Sequence, residues 1–172
     1  MFLKTSYLIN KLKKLIKLNH SNINLCENLL LKNINDYNYF KEIGWNSKQY
    51  KLQIKKEVDF SFGLIEMNLL IGFIIGDLIT IKKNLEYEIL FLYIAKEHRN
   101  KGNATFLINS LVDKKIDISI NKIILEVDSS NNIGNNFYKK NNFVQTGLRK
   151  NYYSFNSKKT DALLYEKIIY EQ

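Results

Sequence analysis

The stretch EHRNKGNATFL, residues 97–107, lies between an apolar run and a segment with helical spacing. Gly102 carries no Cβ and Ala104 is small, so an anion could approach the backbone closely here. The first turn of the helix would add unpaired N–H groups, and Arg99 could align either the loop or the anion. The spacing matches neither GxGxxG nor GxxxxGK[ST]. The stretch therefore predicts a phosphate site, and a plain strand-to-helix turn remains the alternative.

Two further side chains could move protons. In KIILEVD, residues 122–128, Ile123, Leu125 and Val127 share one face of a strand, so Glu126 points to the other face. A carboxylate there could act as a general base, or it could simply bond a neighbouring side chain. Tyr138, in NFYKKN, is either a general acid or a core aromatic residue.

The elements around these residues alternate in the second half of the chain. Residues 103–116 have an apolar face that predicts a helix. A strand follows at 122–128, then a short helix at 131–141 and two closing strands at 143–153 and 161–169. Strands that alternate with helices indicate a parallel or mixed sheet.

The first half predicts a helix followed by an antiparallel meander. The helix, in SNINLCENLLLKNI, begins with Ser and Asn and has apolar residues at helical spacing, namely Ile23, Leu25, Leu29, Leu30 and Ile34. A short helix or loop surrounds Trp45, and strands are expected near 58–66, 69–81 and 86–95. The predicted fold class is therefore α/β or α+β with a mixed central sheet.

Length and composition limit the classes of protein. A chain of 172 residues, 45% of them hydrophobic, is expected to form a single domain over residues 1–172. Gly72, Gly76 and Asp77 interrupt the longest apolar run, so no segment reaches the roughly 20 apolar residues of a membrane span. One cysteine and two histidines exclude an internal disulfide and a thiolate zinc cluster. Cys26 is expected to pack in the core.

The formal net charge is +9, with the basic residues scattered along the chain. This charge could favour binding to ribosomes, nucleic acid or an anionic membrane. We favour the alternative, that it reflects the composition of an AT-rich genome. The first twenty residues hold five lysines and no acid. They could form a targeting helix, a surface-binding arm or an extension into a strand near KLIKLN. We favour a basic extension over residues 1–12 and a cytoplasmic location; a targeting segment would place the protein in an organelle matrix.

Several motifs occur in one order over residues 86–169: EILFLYIAKEHRNKGNATFL, IILEVDSSN, NFYKKNNF, and GLRKNYY with DALLYEK. Together they resemble the GNAT acyltransferase superfamily, and within it the ribosomal-protein-alanine N-acetyltransferase family (the RimI type). The resemblance implies a GNAT fold, in which two splayed parallel strands hold acetyl-CoA in a wedge. It also implies acetyl-CoA as cosubstrate, no metal, and no required contact with nucleic acid or a membrane.

The resemblance assigns roles position by position. Glu126 corresponds to the general base and Tyr138 to the general acid. The strand edge that bonds the pantetheine arm corresponds to Leu92, Tyr93 and Ile94. The pyrophosphate loop and a further cofactor contact correspond to Arg99, Asn100, Lys101, Gly102, Asn103, Ala104, Thr105 and Asn131. Tyr152 and Tyr153 correspond to the acceptor side.

The acceptor implied by the resemblance is the N-terminal alanine of a small-subunit ribosomal protein, protein eighteen. The alternatives are a broader protein N-terminal or small-amine acetyltransferase, and a catalytically silent acyl-CoA-binding module that docks on ribosomes. Three residues depart from the family pattern. Asn142 replaces a glycine and is expected to adopt a left-handed backbone. Gly134 replaces another small residue within a helix, and Gly44 stands where a proline is common before Trp45.

Overall fold

The computed structural model describes residues 13–54, 60–81, 84–112 and 120–169. The first half contains β1 (Lys13–Lys17), α1 (Asn24–Leu31), α2 (Ile34–Glu42), α3 (Ser47–Ile54), β2 (Phe62–Glu66), β3 (Leu69–Ile81) and β4 (Asn84–Ile94). After a 3-10 turn at Lys96–His98, the second half contains α4 (Asn103–Val112), β5 (Lys122–Asp128), α5 (Asn132–Lys140), β6 (Val144–Phe155) and β7 (Lys158–Ile168). Within the described ranges, no helix is long and apolar enough to cross a membrane.

The seven strands of the described residues form one mixed sheet in the order β1-β2-β3-β4-β5-β7-β6. Strands β1 to β4 form an antiparallel meander. Strands β4 and β5 are parallel, and their connection carries α4, because a parallel pair requires a long crossover. Strand β7 pairs antiparallel with both β5 and β6. The predicted class, a mixed sheet flanked by helices, is confirmed.

Both faces of the sheet carry a hydrophobic core. The core on the side of α4 and α5 includes Tyr87, Ile89, Leu107, Ile123 and Tyr138. The core on the side of α1 and α3 includes Leu30, Tyr50, Phe73, Phe91 and Tyr93. Cys26 is fully buried in this second core as a free thiol, as predicted.

A β-bulge in β4 changes which side chains face each core. The register with β3 skips Leu90, which is therefore an extra residue in β4. Before the bulge, Tyr87 and Ile89 belong to the core beside α4 and α5. After it, Phe91 and Tyr93 belong to the opposite core. Because side chains alternate with a period of two, one extra residue exchanges the faces of everything that follows.

Strands β4 and β5 part at this bulge. Their parallel register ends at the pair Ile89 and Leu125, although β4 continues to Ile94 and β5 to Asp128. Beyond that pair, the facing edges of the two strands no longer bond each other. The gap between them is the predicted wedge of the GNAT fold.

The start of α1 differs from the prediction. The helix begins at Asn24, after a turn in which Asn19 and Asn22 bond nearby backbone groups. Two of the apolar residues at helical spacing, Leu25 and Ile34, are exposed, and Ile34 begins the next helix. The single helix predicted from the apolar spacing is thus divided, because that spacing runs across a polar turn and into a second helix.

Other differences concern the ends of segments. The region around Trp45 forms two helices, α2 and α3, with the tryptophan in the loop between them. Within the described residues β2 begins at Phe62, and β7 begins at Lys158 and not at 161. The predicted extension over 1–12, the start of the first meander strand and the end of the 103–116 helix lie outside the described residues.

Candidate active site

An open cleft of about 710 Å³ lies where β4 and β5 part. Helix α2 and the loop after it border one side, and β6 borders another. The cleft brings together these residues selected from the sequence: Leu92, Glu126, Asn131, Tyr138, Tyr152 and Tyr153. The loop residues 99–105, with Tyr93 and Ile94, lie outside its lining.

Glu126 faces the cleft because its neighbours Leu125 and Val127 are buried on the other face of β5. Its carboxylate is 19% exposed and lies 2.9 Å from Nη1 of Arg149. The hydroxyl of Tyr152 bonds the same carboxylate, and the Arg149 guanidinium lies 5.5 Å from the Tyr152 ring centre. The carboxylate is therefore held in a fixed position at the cleft.

Tyr138 reaches the cleft from the opposite side of the sheet, because α5 packs on the face away from α2. The residue is 8% exposed, and its ring packs against Phe137, Phe143 and Tyr165. Burial raises the pKa of the Tyr138 hydroxyl above its ordinary value. The side chain is thus both a core aromatic residue and a protonated hydroxyl at the wall of the cleft.

The loop before α4 has the geometry of an anion site. Gly102 adopts a positive φ of 75°, and a Cβ built there would meet nothing within 4 Å. Its carbonyl accepts the first helical hydrogen bond, from Phe106, which makes Gly102 the residue before the first turn. A glycine in this position offers no side-chain oxygen to the N–H groups of residues 103–105. These groups can therefore bind phosphate oxygens, aided by the helix dipole.

Two predicted cofactor contacts have side chains that support the loop. Arg99 donates from Nε to the carbonyl of Ile94 at 2.9 Å and from Nη2 to Asp36 at 2.5 Å. The buried amide of Asn103 donates to the carbonyl of His98 at 2.8 Å and accepts from Lys13 at 2.7 Å. Of the two roles left open for Arg99, the geometry favours alignment of the loop.

Asn131 caps α5 at the edge of the cleft. Its side-chain oxygen accepts from the N–H of Gly134 at 2.9 Å. A Cβ at Gly134 would lie 2.7 Å from Nδ2 of Asn131, so the glycine makes room for this cap. Asn142, after the same helix, has a φ of 64°, which confirms the predicted left-handed backbone.

A bulge in β6 presents the two acceptor-side tyrosines. Residues 150–152 of β6 lie opposite Asp161 alone, where the N–H of Asn151 donates to Oδ1 of Asp161 at 2.8 Å. Burial and the nearby Glu126 carboxylate raise the pKa of both Tyr152 and Tyr153. Both hydroxyls are therefore protonated at neutral pH and can donate hydrogen bonds.

Sequence reasoning missed Arg149, Tyr39 and Asp128 as residues of the cleft. The hydroxyl of Tyr39 donates to Oδ2 of Asp128 at 3.1 Å. Burial alone would raise the pKa of Asp128, but hydrogen bonds from Ser130, Thr160 and Tyr39 outweigh it and lower the pKa. Arg149 lies in the quoted GLRKNYY motif, and Asp128 follows Glu126 in the strand, so both motifs contained a signal. Tyr39 had none.

Gly44 shapes the loop that leads Trp45 to the cleft. Its φ is 103°, and its N–H donates to the carbonyl of Lys41, while the N–H of Trp45 donates to that of Phe40. These two bonds are the Schellman ending of α2. A proline has a fixed negative φ and no N–H, so it could not replace Gly44. The ending places the Trp45 ring 4.8 Å from that of Phe91.

In the described part of the chain, no group of three or more His, Cys, Asp or Glu side chains is placed to hold a metal ion. The cleft and the loop offer a carboxylate, several hydroxyls and backbone N–H groups to a substrate.

Comparisons with known proteins agree with this geometry. The sequence profile described as "Acetyltransferase (GNAT) family" matches residues 30–143. No curated protein matches the sequence. The ribosomal-protein-S18-alanine N-acetyltransferase from Escherichia coli superposes with a TM-score of 0.74 at 16% identity, covering 93% of this chain and 96% of that chain.

Two other solved structures share the fold. Naa50 from Arabidopsis thaliana, in complex with a bisubstrate analogue, has a TM-score of 0.69 at 21% identity and covers 92% and 99% of the two chains. The spermidine N-acetyltransferase from Vibrio cholerae, in complex with CoA and spermine, has a TM-score of 0.71 at 25% identity and covers 92% and 96%. Because the family profile spans most of the chain, this protein belongs to the GNAT family and is an acetyl-CoA-dependent N-acetyltransferase.

Proposed function

We propose that this enzyme acetylates the α-amine of an N-terminal alanine on a ribosomal protein, as the name of the Escherichia coli structure describes for that protein. The observation that carries the proposal is the position of Glu126 and Tyr138. They reach one cleft from opposite faces of the sheet, beside the freed edge of β4. This arrangement suits direct transfer of an acetyl group between two bound substrates.

In the proposed reaction, Glu126 takes a proton from the acceptor ammonium, directly or through a water molecule. The neutral amine attacks the thioester carbon, and a backbone N–H on the freed edge of β4 stabilises the oxyanion. As the carbon–sulfur bond breaks, Tyr138 gives its proton to the departing thiolate. The nitrogen releases its second proton to water as the amide forms, and Glu126 and Tyr138 return to their starting protonation states by exchange with solvent. Arg149 and Tyr152 keep the Glu126 carboxylate oriented toward the cleft.

Acetyl-CoA supplies the activated acetyl group, and the loop before α4 fits its pyrophosphate. The open space at Gly102 and the N–H groups of residues 103–105 support this assignment. Leu92 and Asn131 line the cleft. We assign Leu92 to the strand edge that bonds the pantetheine arm and Asn131 to a further contact with the cofactor. The side chains of Arg99 and Asn103 hold the loop in shape, and Asn100, Lys101, Ala104 and Thr105 remain proposed contacts.

The acceptor chemistry favours an α-amine over a lysine side chain. An α-amine has a pKa near 8 and a lysine one near 10.4. At neutral pH, a lysine costs about 3 kcal/mol more to deprotonate. A single carboxylate base therefore deprotonates a terminal amine far more readily. Tyr152 and Tyr153, at the mouth of the cleft, are proposed to bind the backbone of the acceptor peptide.

A polyamine is the second candidate acceptor, and one observation favours it. Among the described residues, the cleft is lined by four carboxylates, Glu42, Glu88, Glu126 and Asp128, and by a single cationic side chain, Arg149. A broader N-terminal acetyltransferase uses the same chemistry as the first proposal. A silent acyl-CoA-binding module would need neither Glu126 nor Tyr138 at the cleft.

Mass spectrometry of acetylated products tests the proposal. The enzyme is incubated with acetyl-CoA and either a peptide beginning with alanine, the same peptide blocked at its N-terminus but containing lysine, or spermidine. We expect acetylation of the free α-amine and little product from the blocked peptide. Preferred acetylation of spermidine would replace the proposed acceptor with the second candidate, and labelling chiefly on lysine would contradict both the acceptor and the pKa argument.

A further inference from the structure

Helix α2 contains no fully buried residue, and only Tyr37 and Phe40 pack, partly buried, against the core beside α1 and α3. Polar contacts add to this packing in fixing the position of the helix. Three side chains spaced by three residues, Asp36, Tyr39 and Glu42, lie along one face of the helix. Each contacts a different part of the molecule. The helix therefore joins parts of the protein that are distant in sequence.

The first contact joins α2 to the loop before α4. Oδ2 of Asp36 accepts from Nη2 of Arg99 at 2.5 Å and from the hydroxyl of Tyr93 at 2.9 Å. The Arg99 guanidinium also lies 5.4 Å from the centre of the Tyr93 ring. One carboxylate thus binds both the loop and the strand that the proposed function assigns to acetyl-CoA.

The other two contacts join α2 to the acceptor cleft. Tyr39 donates to Asp128, two residues beyond Glu126, and its ring lies 5.2 Å from that of Phe155. Oε1 of Glu42 accepts from the N–H of Asn156, in the turn between β6 and β7, at 2.5 Å. Both Tyr39 and Glu42 line the cleft.

We propose that Asp36 is a positioning residue that couples the cofactor loop to the acceptor side of the cleft. An anion bound at residues 102–105 fixes the loop, and Arg99 then holds Asp36 and the first turn of α2. The helix in turn fixes Tyr39 and Glu42 at the cleft. By reciprocity, an acceptor that contacts α2 strengthens the binding of acetyl-CoA at the loop. The proposal rests on the assignment of that loop to acetyl-CoA.

Hydrogen exchange with CoA as the probe tests this coupling without any acceptor. The Arg99–Asp36 pair is partly exposed, so we expect an effect at the low end of site-to-site couplings. In the wild type, CoA should slow exchange in the loop and also, by about fivefold, in α2. In Asp36→Asn, CoA should slow exchange in the loop but not in α2.

The control is Glu97→Gln, which removes the same charge from an exposed position two residues before Arg99. It should respond to CoA as the wild type does. If a melting curve shows that Asp36→Asn is unfolded, Arg99→Gln removes the other partner of the pair. In that variant, too, CoA should no longer slow exchange in α2.

The outcomes separate this proposal from the proposed function. If CoA slows exchange in neither the loop nor α2 of the wild type, the loop assignment and the coupling are overturned together. Slowing in the loop but not in α2 of the wild type would overturn only the coupling. Slowing of α2 that persists in a folded Asp36→Asn or Arg99→Gln variant would also overturn it, because α2 would then respond without this contact.

Discussion

At the scale of single residues, Glu126 is held by Arg149 at 2.9 Å and by the hydroxyl of Tyr152. Glu126→Gln keeps the shape of the side chain and a hydrogen-bond acceptor for Arg149, but it cannot take up a proton. We expect turnover at pH 7 to fall by about 10²-fold or more. Part of the rate should return at high pH, because free amine accumulates above a pKa near 8.

Rates measured across pH with a peptide acceptor would show this recovery. Glu166→Gln is the matched control, since it removes a charge from β7, where Glu166 lies 3.7 Å from Lys122. The control should keep wild-type rates at every pH. Wild-type turnover by Glu126→Gln at pH 7 would mean that another group is the base.

A single substitution can separate the role of the Tyr138 hydroxyl in the reaction from the role of its ring in the core. Tyr138→Phe keeps the ring contacts with Phe143 and Tyr165 and removes only the hydroxyl. A thiol has a pKa near 8.5, so the thiolate can depart unaided, and a tyrosine whose pKa burial raises is a weak donor. We expect the chemical step to slow by about a hundredfold, at the low end for general acids, with little change in acetyl-CoA affinity.

Single-turnover kinetics and a melting curve, measured on the same Tyr138→Phe sample, distinguish the two roles. A purely structural tyrosine predicts normal chemistry and a lower melting temperature. Unaltered single-turnover rates would therefore remove Tyr138 from the mechanism.

At the scale of elements, the start of α4 depends on Gly102. A Cβ there meets no atom within 4 Å, but a valine must adopt a positive φ, which costs about 1–2 kcal/mol. Its side chain would also occupy the space that the pyrophosphate needs. We expect Gly102→Val to weaken acetyl-CoA binding at least tenfold, as measured by calorimetry.

Asn142→Val is the matched control for backbone strain, because Asn142 has a similar φ of 64° at the end of α5. Both variants should lose comparable stability, and only Gly102→Val should lose affinity. Equal affinity in the two folded variants would contradict the assignment of the loop to phosphate.

The elements that the sequence predicted well have local patterns. Strict alternation in β5 placed Glu126 opposite Leu125 and Val127, and the structure confirms this. The missing Cβ of Gly102 predicted open space before α4, and a Cβ built there meets nothing within 4 Å. A period of two or a single glycine needs no knowledge of distant residues, so short segments suffice to predict such features.

The features that escaped prediction depend on residues far apart in the chain. The bulge at Leu90 lies within a continuous apolar run, where alternation gives no signal, yet it opens the cleft. Arg149 meets Glu126 only because β7 pairs with both β5 and β6. Asp36 and Arg99 are 63 residues apart. Such contacts follow from strand pairing and helix packing, which local patterns do not specify.

At the scale of the whole molecule, charge is divided between the surface and the cleft. The chain has a formal net charge of +9, whereas the described residues lining the cleft carry four carboxylates and one guanidinium. The two substrates also differ, because acetyl-CoA is a polyanion and the acceptor amine is a cation. The overall charge therefore attracts the cofactor, and the local charge of the cleft attracts the acceptor.

This division predicts how salt affects acceptor preference. A peptide beginning Ala-Lys should have a higher kcat/KM than one beginning Ala-Gln, because the carboxylates of Glu42 and Glu88 in the cleft attract a second positive charge. The ratio of the two kcat/KM values should be severalfold at about 0.01 M salt, where the Debye length is about 30 Å. At about 1 M salt the Debye length is about 3 Å, and the ratio should fall toward one. Steady-state rates for both peptides at each salt concentration give this ratio. A ratio that does not change with salt would show that side-chain packing, and not the carboxylates of the cleft, selects the second residue of the acceptor.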